Sequence, residues 1–136
     1  MNRLEKDKVQ FGIIGCGAIA NIHAMSIKAI ENAELKAVAD VNIDNARKFA
    51  ERHNIKEYYS DYRELLKDRD IDIVNICTPS GLREDVAIAS ARAGKHIIAE
   101  KPVEVTVEKI DRIIAECKRH NVALAGIFNY RYNKNY

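Results

Sequence analysis

Apolar positions along the chain change period repeatedly, and each change predicts a new element. The run KVQFGIIG at 8–15 is short, β-rich and closed by glycine, which predicts a buried strand. Ile19, Ile22, His23, Ser26, Ile27 and Ile30 then fall on one helical stripe. LKAVAD at 35–40 predicts a second strand, and Asn42 an N-cap for a helix whose inner face is Ala46, Phe49, Ala50 and His53. EYYS at 57–60 is a weaker third strand. Asp61 and Glu64 stand at capping-box spacing before a short helix carrying Leu65 and Leu66.

The second half repeats the alternation. IDIVNICT at 71–78 predicts a strand, and Ser80 an N-cap for a helix carrying Leu82, Val86, Ala89 and Ala93, closed by a left-handed Gly94. KHIIAE at 95–100 is a fifth strand. Ile110, Ile113, Ile114 and Cys117 mark a long amphipathic helix, and VALAGIF at 122–128 a sixth strand. Strands alternating with helices require right-handed crossovers and a mainly parallel sheet. Six strands with five intervening helices predict an α/β, doubly wound sheet of the Rossmann type, in a single domain.

Composition changes this picture little. Apolar residues make up 47% and charged residues 31% of the 136, an ordinary globular balance with room for one core. A formal charge of +2 gives no bulk attraction to nucleic acid or to an anionic membrane. No apolar run approaches the ~18 residues a bilayer span needs. The opening MNRLEKDKVQ is too polar for a signal peptide. Cys16, Cys77 and Cys117 are an odd number without metal-ligand spacing, which fits reduced thiols in a cytoplasmic protein, and no two histidines form a metal-ligand spacing.

Candidate chemistry sits at the carboxyl ends of the predicted strands, where open α/β sheets bind ligands. The first strand runs into GCGAIA, so Gly15, Gly17 and Ala20 form the GxGxxA pattern. Gly15 permits the tight turn, Gly17 lets the main chain approach a pyrophosphate, and Ala20 lets the helix pack closely on the sheet. Free N–H groups from Cys16, Gly17, Ala18 and Ile19 would face the phosphates at the positive end of the helix dipole. The second strand ends in Asp40, whose carboxylate can accept both adenosine ribose hydroxyls and would repel a 2′-phosphate. No Arg or Lys neighbours it within ADVNID, so NAD is favoured over NADP. A helix-capping loop residue would supply the same aspartate. After the fourth strand, CTPSGLRED offers Cys77, Thr78, Pro79 and Ser80 as a cofactor turn, although a plain strand-to-helix turn needs the same letters. After the fifth, Glu100 and Lys101 run straight into Pro102; they form either a surface ion pair of little worth or a site where Lys101 tunes loss of a substrate hydroxyl proton.

GCGAIA, CTPSGL and EKP, in this order and at these intervals, resemble the glucose–fructose oxidoreductase, inositol dehydrogenase and rhizopine catabolism (Gfo/Idh/MocA) family over almost the whole chain. The resemblance implies that Asp40 sets cofactor choice and that Thr78, Pro79 and Ser80 contact the cofactor. It places Glu100 and Lys101 beside nicotinamide and substrate, with Lys101 catalytic, and Asn129 where a polar side chain, often Gln in relatives, reaches the same region. Arg131 would follow Asn129 on the same face by strand alternation. Where the family turn continues as Leu-His, this chain has Leu82 and Arg83, so the guanidinium is expected at a phosphate or in solvent.

The resemblance also implies a second, mostly antiparallel domain carrying substrate contacts and a catalytic histidine. Residues 1–128 therefore read as the dinucleotide-binding domain and 129–136 as the start of a crossing segment to a substrate domain that the chain lacks, so the end at Tyr136 reads as a cut. The implied activity is hydride transfer between a nicotinamide and a hydroxyl-bearing carbon of a sugar, polyol or nucleotide-linked sugar, with the chain alone inactive. The alternative is a stand-alone dinucleotide-binding sensor or adaptor without turnover. Apolar surface near Ile127 and Phe128, uncovered without a second domain, predicts a homo-oligomer or self-association.

Overall fold

A computed structural model gives the structure and describes residues 7–134. The last two residues of the predicted crossing segment, 135 and 136, and the first six of the chain lie outside the described residues. The elements run β1 (Val9–Ile14), α1 (Ala18–Lys28), β2 (Ala33–Ala39), α2 (Ile43–His53), β3 (Glu57–Tyr59), α3 (Tyr62–Leu66), β4 (Ile73–Ile76), α4 (Arg83–Arg92), β5 (His96–Ala99), α5 (Val107–Arg119) and β6 (Leu124–Gly126). Short 3₁₀ turns occupy Ser80–Leu82 and Asn129–Tyr132. The strands form one parallel sheet in the order β3-β2-β1-β4-β5-β6, so the strand sequence reverses between β1 and β4. That reversal opens the crevice in which doubly wound folds bind dinucleotides.

Strand alternation sends β1 residues to both faces. Phe11 and Ile13 join Ala20, Ala24, Ile27, Val38 and Phe49 beneath α1 and α2. Ile14 joins Leu65, Ile76, Ile97 and Ile113 beneath α3, α4 and α5. Burying each large aliphatic side chain contributes about 2 kcal/mol before the entropy of ordering it.

The caps show how local chemistry ends each helix. Asn42 accepts from the N–H groups of Asp44 (3.0 Å) and Asn45 (3.4 Å), and α2 buries the four residues expected on its inner face. Asp61 accepts from Arg63 N–H at 2.9 Å, but the Glu64 carboxylate binds Lys67 at 2.7 Å, so only half of the capping box forms. Gly94 adopts the left-handed φ of +75° after α4, as the C-cap pattern requires.

Four expectations need correction. On α1, Ile22 and Ile30 are exposed, and Ala20, His23, Ala24 and Ile27 face the sheet; small residues let the helix approach it. Ser80 does not cap α4: it opens the 3₁₀ turn, and the Glu104 carboxylate instead accepts from the N–H groups of Arg83 (3.1 Å) and Glu84 (2.9 Å). The buried face of α4 is accordingly Arg83, Val86, Ala87, Ser90 and Ala91, while Leu82 lies exposed. The sixth strand stops at Gly126, and the chain then coils into a 3₁₀ turn, so alternation does not place Arg131 on the face of Asn129. Phe128 is exposed and folds back across Gly126, where a Cβ would stand 2.8 Å from its ring.

Candidate cofactor site

The carboxyl ends of β1, β2 and β4 enclose a cleft of about 690 Å³. Gly15, Gly17, Ala18, Ile19, Asp40, Cys77, Thr78 and Pro79 line it, together with Arg83 and Val86 from α4. At Gly15 the chain takes a φ of +94°, and a Cβ there would lie 2.7 Å from the Cys77 carbonyl carbon and the Thr78 nitrogen. Only glycine lets the loop leave β1 this close to β4. At Gly17 a Cβ would meet nothing within 4 Å, so the residue faces open cleft, and no side chain caps the N-terminus of α1 behind it. Ala20 is fully buried beneath the loop, packing the helix against the sheet.

Asp40 closes the far side. One carboxylate oxygen accepts from Cys16 N–H at 2.9 Å and the other from Asn42 N–H at 2.9 Å. The Cys16 N–H is therefore not free for a phosphate, contrary to the expectation from the motif, because the neighbouring strand end supplies an acceptor first. Each Asp40 oxygen keeps a lone pair for a further donor. Thr78 presents a buried hydroxyl oxygen with no hydrogen-bond partner among the described residues. The open cradle at Gly17, the uncapped helix and this unpaired hydroxyl fit a phosphate-bearing ligand laid from Asp40 past the loop toward Thr78.

The residues after β5 divide in two. Glu100 is 6% exposed and turned inward: one carboxylate oxygen binds His23 Nε2 at 2.7 Å and the other accepts Lys101 N–H at 3.1 Å. Asn75 Nδ2 donates to His23 Nδ1 at 2.8 Å, which leaves Nε2 as the ring nitrogen that donates to Glu100. Lys101 and Glu100 form no pair with each other. The Lys101 side chain is exposed, without a partner among the described residues, and the Lys101–Pro102 peptide is cis. Ser80 is half-buried and Asn129 exposed, and neither lines the cleft.

Arg83 departs furthest from expectation. Although it contributes to the cleft wall, its guanidinium is committed to the main chain: Nε donates to the Thr78 carbonyl at 2.8 Å, and Nη1 donates to the carbonyls of Glu100 (2.7 Å) and Pro102. Sequence reasoning also missed the wall made by Val41, Ser60, Tyr62 and Arg63. Ser60 follows β3 directly, so the rule that ligands bind beyond strand carboxyl ends was the signal available for it.

Burial pushes the Cys16 thiol up to about 12, with the Asp40 charge adding to it, and burial likewise pushes Cys77 up to about 12. Both thiols are thus protonated and unreactive at neutral pH. Iodoacetamide at pH 8 is expected to alkylate the folded chain at least about tenfold more slowly than the urea-unfolded chain, followed by mass spectrometry. Equal rates would contradict the burial of these groups.

The model of the oxidoreductase family with an NAD-binding Rossmann fold matches residues 9–128. The chain belongs to this family. It is 36% identical over 128 residues to myo-inositol 2-dehydrogenase of Thermotoga maritima, covering 94% of this chain and 38% of that protein. The crystal structure of the WlbA dehydrogenase from Bordetella pertussis, in complex with NADH and UDP-GlcNAcA, superimposes with a TM-score of 0.89 at 30% identity, covering 93% of this chain and 39% of that one. KijD10, a 3-ketoreductase from Actinomadura kijaniata solved as its Y186F mutant with TDP-benzene and NADP, gives a TM-score of 0.86 at 29% identity, with the same coverage. The chain thus spans under two-fifths of the length of these relatives and carries the family's nicotinamide-dinucleotide-binding domain. Among the described residues no helix is long and apolar enough to cross a membrane.

Proposed function

We propose that this domain binds NAD in preference to NADP and serves a protein that oxidises a hydroxyl-bearing carbon of a sugar, polyol or nucleotide-linked sugar. The observation that carries the cofactor reading is the Asp40 carboxylate at the end of β2, fixed by two N–H donors and lining the cleft. It can accept from the ribose hydroxyls, and its charge opposes a 2′-phosphate. Arg63 lines the same cleft, but it is paired with Asp61 at 3.4 Å and lies over the Tyr62 ring at 5.0 Å. The N-terminus of α1 and Gly17 would take the pyrophosphate, and Thr78 and Pro79 the nicotinamide side.

Bound NAD would supply the hydride acceptor. Lys101, just beyond β5 and unpaired among the described residues, would hydrogen-bond the substrate hydroxyl and ease loss of its proton, with Glu100 holding the lysine main chain and not touching substrate. The substrate contacts other than Lys101 would come from outside residues 9–128, which agrees with the share of its relatives that this chain spans. Residues 129–134 fit the start of a crossing segment toward such a region, with the exposed Asn129 near the nicotinamide.

Calorimetric titration of the purified chain with NAD and with NADP tests the cofactor reading. NAD is expected to bind tighter, and Asp40→Ala to lower NAD affinity about tenfold or more while narrowing the gap to NADP. Tighter binding of NADP by the unaltered chain would defeat the preference, and binding of neither would defeat the proposal.

A further inference from the structure

The β4 and β5 strands separate just where the cleft needs them held. Their pairing ends at Ile76 and Ala99, with one further bond from Glu100 N–H to Ile76 C=O at 3.1 Å. Beyond it the two chains turn apart, one carrying Thr78 and Pro79, the other Glu100, Lys101 and Pro102. Arg83 takes over where the ladder stops. The residue is only 6% exposed, and its guanidinium bonds three main-chain carbonyls, one in the first turn and two in the second. The Arg83 N–H is itself fixed by Glu104, a carboxylate 2% exposed that also accepts Glu84 N–H at 2.9 Å and Val105 N–H at 2.7 Å.

Burying a permanent charge among carbonyls is costly unless its donors are well used. A planar fork with donors in fixed directions can span two turns at a set separation, which neither an ammonium nor an imidazole can reproduce. Arg83 also contributes to the cleft wall beside Thr78.

We infer that Arg83 is a positioning residue: it staples the turn at 78–79 to the turn at 100–102 and so sets the nicotinamide end of the cleft, including where Lys101 stands. The inference rests on the reading above, in which a dinucleotide lies from Asp40 to Thr78. It makes a claim about one end of the ligand only. The adenosine and pyrophosphate positions, at Asp40 and Gly17, involve β1, β2 and α1 and not this staple.

The test compares NADH with ADP-ribose, which lacks the nicotinamide, by calorimetry on the 136-residue chain and its Arg83→Ala and Arg83→Lys variants, each checked for folding by circular dichroism. Arg83→Ala is expected to weaken NADH about tenfold while ADP-ribose changes less than about twofold, and Arg83→Lys to lie between, because one ammonium cannot hold both turns. If Arg83→Ala does not fold, the same selective loss in Arg83→Lys decides the matter. A general structural role would weaken both ligands alike, and that outcome overturns the inference, as does unchanged NADH binding in both variants. Equal affinity of the unaltered chain for NADH and ADP-ribose overturns it too, since the nicotinamide end would then contribute nothing. Should the unaltered chain bind neither ligand, the dinucleotide reading fails first and the inference falls with it.

Discussion

Replacing Gly15 with alanine is expected to lower stability by about 3 kcal/mol, roughly 10 °C in melting temperature, whereas Gly17→Ala leaves stability within about 0.5 kcal/mol. The two glycines stand two residues apart in one motif, yet they answer to different physics. At Gly15 the φ of +94° is a region that L residues avoid, and the added Cβ would sit 2.7 Å from main-chain atoms of Cys77 and Thr78, which have no side-chain freedom to yield. At Gly17 the φ is −81° with extended ψ, open to any residue, and none of the described residues comes within 4 Å of the new methyl. The methyl would instead occupy the cradle in front of α1. Gly17→Ala should therefore keep its melting curve and lose NADH affinity by about tenfold or more, the cost of displacing a ligand from close main-chain approach. Thermal melts and calorimetry on both variants check this. Equal destabilisation by the two substitutions, or unimpaired binding by Gly17→Ala, would refute the division of labour between them.

That division marks how far the sequence carried the reading. The strand runs, the GxGxxA loop and the fold class were readable because buried parallel strands and a phosphate turn leave local signatures, and six strands and five helices follow one another in the expected order, with the sixth strand shorter and α4 starting later than expected. What escaped was decided by residues far apart in the chain. Ser80 has the chemistry of an N-cap, but Glu104 reaches the helix start first, from a turn beyond β5. Arg83 looks like a surface or phosphate-binding cation until the turn at 100–102 folds over it. Ile22 fits a helical stripe as well as Ala24 does, and only the closeness of α1 to the sheet shows that the alanine is inside. The expected alternation from Asn129 to Arg131 assumed an extended chain, and the 3₁₀ turn removes that premise.

The other large effect is expected at His23, on the buried face of α1. Its ring bridges Asn75 on β4 and Glu100 after β5, and all three residues are buried. Removing the ring by His23→Ala leaves the Glu100 carboxylate buried with Lys101 N–H as its remaining donor, which should cost about 3 kcal/mol. Glu100→Gln preserves shape but not the pattern of donors. Both groups facing the carboxylate, His23 Nε2–H and Lys101 N–H, are donors to separate oxygens, and a carboxamide can accept through only one side. Its NH₂ would confront one of those donors, so Glu100→Gln should lose about 2 kcal/mol despite being nearly isosteric. Because the two residues share one hydrogen bond, the double variant should lose less than the sum, by about 1 kcal/mol or more. Urea unfolding of the single and double variants measures these differences. Strict additivity would show that the contact between His23 and Glu100 carries no energy of its own, and a Glu100→Gln variant as stable as the parent would show that the carboxylate is not needed to satisfy both donors. The expected coupling instead makes the helix behind the phosphate loop and the turn that carries Lys101 one mechanical unit, joined through the interior at His23.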